Sequence, residues 1–249
     1  MAVTGSPLDF ATACAPAVDR GVFETLLVRD GRPLLAGRHL ARLHASVGTL
    51  YGAALPQGLG AALADAAAGH ALARLRIEVA PRGASPPALA IKIAPLDRAL
   101  VLPAAEAALV AVRVSGGAGA HKLIDRSWFE QIEGLAGAGV RPLLLSRADE
   151  LLETTRANVF LLRDGVLATP PLDGSILPGV VRAVVLEHAR RLGIEARELP
   201  LTLTQLREAD VVLLSGSLAL LERVRMHGGR RSTAAADRLA GELAATVCL

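Results

Sequence analysis

The sequence predicts a mixed α/β protein of two lobes. Strand-like alternation and helix-like periodicity follow each other along the whole chain, and a glycine-rich stretch divides it near the middle. At 249 residues, the chain is long enough for one large domain or two small lobes, each with its own core.

The region from Gly21 to about Leu35 alternates as strands do, around a turn at Arg29-Asp30-Gly31-Arg32. Leu40, Leu43, Val47 and Leu50 then recur at helical steps, and an Ala-rich helix is expected from Leu59 to about Ala68. Strands at Leu72 to Val79, Leu89 to Ile93 and Leu109 to Val114 complete a small α/β domain over residues 1–114. The stretch Ser115-Gly116-Gly117-Ala118-Gly119-Ala120 lacks the spacing and the βα context of a dinucleotide loop, so residues 115–121 read as a hinge.

The second domain, residues 122–249, opens with a helix near Ser127 to Leu135 and a strand at Pro142 to Leu145. A hairpin follows, Ala157 to Leu162 and Val166 to Thr169, turning at Arg163-Asp164-Gly165. A loop rich in Pro, Gly and Asp leads to Leu177-Pro178-Gly179. The next helix has Val181, Val185, Ala189 and Leu192 on one face and closes at Gly193. A strand near Ala196 to Leu199, a short helix to Glu208, a strand at Val211 to Leu214 and a helix from about Ala235 to Ala245 complete the chain.

Composition narrows the function. With 52% hydrophobic and 20% charged residues, disorder is excluded. Mean hydropathy is +0.42, but the apolar residues are spread, and no uncharged apolar run reaches the roughly 18 residues of a spanning helix. The first eighteen residues carry no basic group ahead of their apolar part, so no secretory leader is expected. Cys14 and Cys248 lie at opposite ends, and His39, His44, His70, His188 and His227 show no ligand spacing. No metal is therefore expected, and a cytoplasmic setting fits. The net charge of +3 comes from scattered arginines, and aromatics are only 2%, which argues against nucleic-acid binding.

Only two of the 27 basic residues are lysines, Lys92 and Lys122. An amine can form an imine or give up its proton, and a guanidinium can do neither. Lys92 alternates with apolar neighbours and is expected on a strand's outer face. Lys122 follows the glycine-rich stretch and is a candidate imine-forming amine. Glu153, in Glu153-Thr154-Thr155-Arg156-Ala157-Asn158-Val159-Phe160, precedes a hairpin and could face a protonated ring nitrogen; an ordinary surface glutamate is the other reading. Leu177-Pro178-Gly179-Val180-Val181-Arg182 offers an open helix N-terminus for a phosphate, or a plain Pro-Gly turn. Ser217, past a strand end, could add a hydroxyl. Arg42, off its helix's apolar stripe, could reach an anion or be a solvated arginine.

In order and spacing these stretches resemble the class IV aminotransferase family, the fold type IV enzymes of pyridoxal 5′-phosphate (PLP). Phe23-Glu24-Thr25, His39-Leu40-Ala41-Arg42-Leu43, Lys122 with Arg126, Glu153 through Phe160, Thr169-Pro170-Pro171, Leu177 through Arg182, and Ala209-Asp210 leading to Ser215-Gly216-Ser217 carry the likeness, from about Gly21 to Val224. The resemblance implies a smaller N-terminal α/β lobe and a larger C-terminal mixed-sheet lobe that binds PLP. It implies that Lys122 is the Schiff-base lysine and proton shuttle, and that Glu153 holds the pyridine nitrogen protonated. Arg42, Gly179, the backbone of Val180 and Val181, and Ser217 would hold the phosphate. Arg82, Arg126 and Leu218 would face the small amino substrate, and a homodimer is expected.

There are departures from the family pattern. Pro7 to Val18 does not fit the usual entry, only Arg82-Gly83 remains of a double Arg-Gly loop, and Ser127 stands where branched-chain members place a tyrosine. Within the family the chain is most like the 4-amino-4-deoxychorismate lyases, which eliminate pyruvate and leave 4-aminobenzoate. The alternatives are an aminotransferase acting on a D- or branched-chain amino acid, and a catalytically silent binding relative.

Overall fold

The computed structural model describes residues 6–83, 85–101, 108–137, 139–224 and 233–247. In chain order the elements begin with β1 (Leu8–Phe10), a 3₁₀ turn (Val18–Arg20), β2 (Val22–Arg29), β3 (Arg32–Pro33), α1 (Ala36–Tyr51), α2 (Leu59–Ala67), β4 (Leu72–Arg82), β5 (Ser85–Pro95) and α3 (Arg98–Val101). They continue with β6 (Ala108–Val114), α4 (Ser127–Ala136), β7 (Val140–Leu145), β8 (Leu151–Thr154), β9 (Asn158–Arg163), β10 (Val166–Thr169) and α5 (Val180–Arg191). The last are β11 (Glu195–Glu198), α6 (Leu203–Glu208), β12 (Val211–Gly216), β13 (Leu220–Val224) and α7 (Ala234–Val247).

Two compact units result. The smaller comprises Pro16–Leu102 and His121–Arg126, and the larger Met1–Ala15, Pro103–Ala120 and Ser127–Leu249. This partition differs from boundaries at 114 and 122. Parallel pairing of β1 with β6 and of β6 with β7 draws the early strand and the 108–114 strand into the larger unit's sheet. Residues 121–126 go the other way. Leu123 bridges Val22, the Phe23 N–H donates to the Lys122 carbonyl at 2.8 Å, and the Ile124 N–H donates to the Gly21 carbonyl at 2.9 Å. Lys122 thus belongs to the smaller unit.

The smaller unit is an antiparallel sheet in the order β3-β2-β4-β5. The β2–β3 turn has Asp30 and Gly31 at φ 50° and 72°, the left-handed pair that a tight two-residue hairpin needs. Val22, Leu26 and Val28 of β2 face a core shared with Leu43 and Val47 of α1 and Leu59, Leu63 and Ala67 of α2. The periodic leucines of α1 therefore mark its buried stripe as predicted.

The larger unit carries a nine-stranded mixed sheet. Its main path runs β1-β6-β7-β8-β9-β10-β11, with β12 on the other edge of β9 and β13 beyond it. One core lies among Leu143, Leu145, Val159, Leu161, Leu206, Val212 and Leu214, and another around Trp128, Ile132, Leu144 and Ile176.

β1, β8, α3 and β13 were not expected from the sequence. β8 is buried at all four positions, Leu151-Leu152-Glu153-Thr154, so it shows no alternation. The β12–β13 hairpin turns before Leu220, whose φ of 54° is unusual for leucine and leaves no glycine signature. Part of the glycine-rich stretch packs within the larger unit. A Cβ at Gly117 would stand 1.7 Å from the Ser175 carbonyl oxygen, and the Gly119 N–H donates to that oxygen at 3.3 Å. The absent side chain permits a close backbone approach within the larger unit. Cys248 and His227 lie outside the described residues.

Candidate functional site

In the larger unit, three adjacent strands place a row of polar residues side by side. Glu153 on β8 pairs in register with Asn158 on β9, and Asn158 pairs on its other edge with Ser215 on β12. All three are buried, Glu153 at 5% exposure. Glu153 is therefore not the surface glutamate its residue type alone allows. Asn158 Nδ2 donates to Glu153 Oε2 at 3.2 Å and to the Leu177 carbonyl at 3.0 Å. The Leu177 N–H donates to Glu153 Oε1 at 3.1 Å. The carboxylate and the amide together grip the segment that enters α5.

That entry leaves no room for a side chain at residue 179. A Cβ on Gly179 would lie 2.0 Å from Asn158 Oδ1. Gly179 is the N-cap of α5 in extended conformation, with no side-chain cap, and its carbonyl accepts from the Ala183 N–H at 3.1 Å. Pro178 sits one residue before the cap. No acidic residue occupies the first turn, whereas His188, Arg190 and Arg191 occupy the last and suit the helix dipole. The start of α5 at Val180 and Val181 thus presents backbone N–H groups and a positive dipole end to an anion. Ser215 adds a buried hydroxyl with no hydrogen-bond partner among the described residues. Ser217 and Leu218 follow in the half-buried turn between β12 and β13.

In the smaller unit Lys122 is half-buried beside β2, its Nζ 4.9 Å from the Phe23 ring centroid. The Arg76 guanidinium also stacks on that ring, with Cζ at 3.8 Å. His121 is tied to Ser46 of α1, Nδ1 to Oγ at 3.0 Å. The backbone around Lys122 is thereby pinned to two elements. Lys92 is exposed on β5 and pairs with Glu78 at 2.6 Å, the outer-face position predicted for it.

Arg42 is not a solvated arginine: its side chain is 11% exposed. Its Nε donates to Glu24 Oε1 at 2.7 Å and its Nη2 to Glu24 Oε2 at 2.8 Å. His39 Nδ1 donates to the same Oε2 at 2.8 Å. Burial raises the Glu24 pKa, but the hydrogen bonds from His39 and Arg42 and the Arg42 charge outweigh it and bring the group down to about 2. Arg126 is half-buried before α4, and Arg82 is exposed at the hairpin end of β4.

The structure thus brings Glu153, Gly179, Val180 and Val181 together within one unit, and places Lys122 and Arg42 in the other. Asn158, Glu24 and His39 lie in stretches that carry the family likeness but were given no role of their own from the sequence. Glu24 had a legible signal, because it interrupts the apolar series Val22, Leu26, Val28 on the inner face of its strand. Among the described residues no group of His, Cys, Asp and Glu could hold a metal ion, and no helix is long and apolar enough to cross a membrane.

The sequence profile described as amino-transferase class IV matches residues 21–226. The chain belongs to the class IV aminotransferase family. The D-alanine aminotransferase of Listeria monocytogenes is 40% identical to it over 74 residues, 30% of this chain and 26% of that protein. The branched-chain-amino-acid aminotransferase of Escherichia coli is 44% identical over 72 residues, 29% of this chain and 23% of that protein. The chain therefore spans well under two thirds of the length of these curated relatives. Among solved structures, the PLP-bound form of a hypothetical aminotransferase from Mycobacterium tuberculosis is similar with a TM-score of 0.77 and 25% identity, over 98% of this chain and 94% of that one. The 4-amino-4-deoxychorismate lyase from Pseudomonas aeruginosa gives 0.70 and 26%, over 90% of each chain.

Class IV members are PLP-dependent enzymes, and a similar structure holds the cofactor. The residues of this class IV chain fit PLP. A ring nitrogen needs an acidic partner, and Glu153 is a buried, oriented carboxylate. A phosphate needs N–H groups, and the uncapped start of α5 presents them. An aldehyde needs an amine, and Lys122 in the smaller unit is a half-buried amine of that kind.

Proposed function

We propose that this protein is a PLP-dependent lyase that eliminates pyruvate from 4-amino-4-deoxychorismate and leaves 4-aminobenzoate. The observation that carries the reading is Ser127, the first residue of α4, five residues after Lys122, where branched-chain members carry a tyrosine. Lys122 with Arg126, and Ser215-Gly216-Ser217-Leu218, look more like the lyase members. The likeness to the Pseudomonas aeruginosa lyase, over 90% of each chain, supports it as well.

When bound, PLP supplies an electron-poor ring that accepts electrons released at the substrate α-carbon. Lys122 would hold the cofactor through its amine, and its Nζ would take the proton from the substrate α-carbon. Glu153, kept in place by Asn158 and Leu177, would hold a proton on the ring nitrogen. The N–H groups of Val180 and Val181 and the Ser217 hydroxyl would bind the phosphate, Gly179 would let backbone come close, and Arg42 would be a further phosphate ligand. Arg82, Arg126 and Leu218 orient the substrate. The working protein is a cytoplasmic homodimer, which light scattering checks.

The test is release of pyruvate from aminodeoxychorismate with no keto acid added; no pyruvate under those conditions sinks the lyase reading. A second reading is an aminotransferase for a D- or branched-chain amino acid. It is favoured by the D-alanine and branched-chain aminotransferases among the relatives. It requires that an amino donor convert the bound cofactor to its pyridoxamine form, reversed by a keto acid. A broad donor panel without that half-reaction rules it out.

A further inference from the structure

Glu24 occupies an apolar position. Its neighbours on the inner face of β2, Val22, Leu26 and Val28, are core residues, and Glu24 itself is 1% exposed. Ionised carboxylates are costly in such places unless they are paired and hydrogen-bonded. Here the pairing is complete on both oxygens. Oε1 accepts from Arg42 Nε, and Oε2 accepts from Arg42 Nη2 and His39 Nδ1. His39 and Arg42 are three residues apart on α1, hence on one helix face.

A bidentate fork fixes the plane of a guanidinium as well as its position. Glu24 holds the Nε–Nη2 edge of the Arg42 guanidinium. A buried ion pair is weak evidence of stabilisation, because packed apolar residues often serve as well. Orientation is what the pair adds and apolar packing does not.

We propose that Glu24 is a positioning residue, which fixes the direction in which Arg42 meets the cofactor phosphate, with His39 as second donor steadying the same carboxylate. The proposal rests on the reading of Arg42 as a phosphate ligand. It assigns to Glu24 and His39 a part in cofactor retention rather than in chemistry at the substrate.

The test compares PLP with pyridoxal, which lacks the phosphate. Apo-protein is titrated with each ligand and binding is followed by near-visible absorbance, for wild type, Glu24→Gln and Arg42→Lys, with thermal unfolding of each apo-protein as a check on folding. Glu24→Gln is expected to weaken PLP about tenfold, equivalent to about 1.4 kcal/mol, and pyridoxal by less than about twofold. Where Glu24→Gln does not fold, Glu24→Asp, which keeps the charge and shortens its reach by one methylene, carries the same comparison. Equal weakening of both ligands, or of neither, overturns the proposal and leaves Glu24 a structural group. Arg42→Lys separates the two levels. If it too leaves the PLP-to-pyridoxal preference unchanged, the phosphate role of Arg42 itself falls; if it removes that preference and the Glu24 variants do not, only the positioning role falls.

Discussion

Asn158 donates its side-chain amide to Glu153 across the β8–β9 pair, Nδ2 to Oε2 at 3.2 Å, and with the same nitrogen holds the Leu177 carbonyl at 3.0 Å. One amide therefore ties the buried carboxylate to the chain that enters α5. The carboxylate and the helix start cannot move independently without breaking one of these bonds.

Gly179→Ala tests that coupling. The φ and ψ of Gly179, −63° and 131°, suit any residue, so the effect comes from the clash of Cβ with Asn158 Oδ1. Overpacking of this kind costs about 1–3 kcal/mol, and a lower Tm with faster PLP loss is expected. An unchanged Tm would show that Asn158 swings aside freely.

Glu153→Ala should lower turnover more than stability. It leaves the Asn158 amide and the Leu177 N–H short of an acceptor, at about 1–3 kcal/mol of folding free energy. Loss of the ring-nitrogen partner should cost roughly a hundredfold or more in kcat, the scale of a missing proton-holding group. Steady-state kinetics at saturating PLP beside a denaturation curve decide it; equal kcat in variant and wild type contradicts the role.

Lys122→Arg should keep the fold, since the segment is held by backbone bonds to Phe23 and Gly21. Turnover should fall by at least about 10²–10⁴-fold, because a guanidinium neither attaches the cofactor nor carries the proton. Borohydride reduction followed by peptide mapping should place a pyridoxyl mass on residue 122 of wild type alone. A mass on another residue would remove the assignment.

Glu24 makes stability depend on acid. Its pKa is lowered from 4.5 to about 2 in the folded protein, so the unfolded chain binds its proton first as pH falls. The contribution is present in full above pH 4.5 and is lost as pH falls through about 2. Its size is about 3 kcal/mol from that difference. Urea titrations between pH 6 and 2 should show a steeper acid decline in wild type than in Glu24→Gln. Parallel curves would mean that another carboxylate governs the acid limb.

Much of the secondary structure was legible. The leucine spacing of α1, the apolar face of α5 and the Asp-Gly turns at residues 30–31 and 164–165 each encode their element within a few residues. Short elements were not. β8 is too brief and too uniformly buried to alternate, and β1 exists as a strand through parallel pairing with β6, more than ninety residues away.

The sequence by itself determined the family and the candidate amine and carboxylate, because Lys122, Glu153 and Leu177-Pro178-Gly179 sit in a characteristic order along the chain. Only the tertiary structure decided which groups act on them. Glu24 meets Arg42 across 18 residues, Asn158 reaches Leu177 across 19, and Lys122 lies beside Phe23 rather than with the strands that follow it. Periodicity records which face of an element is buried. It carries no information on which distant polar group will satisfy a buried charge, and that choice is made by packing.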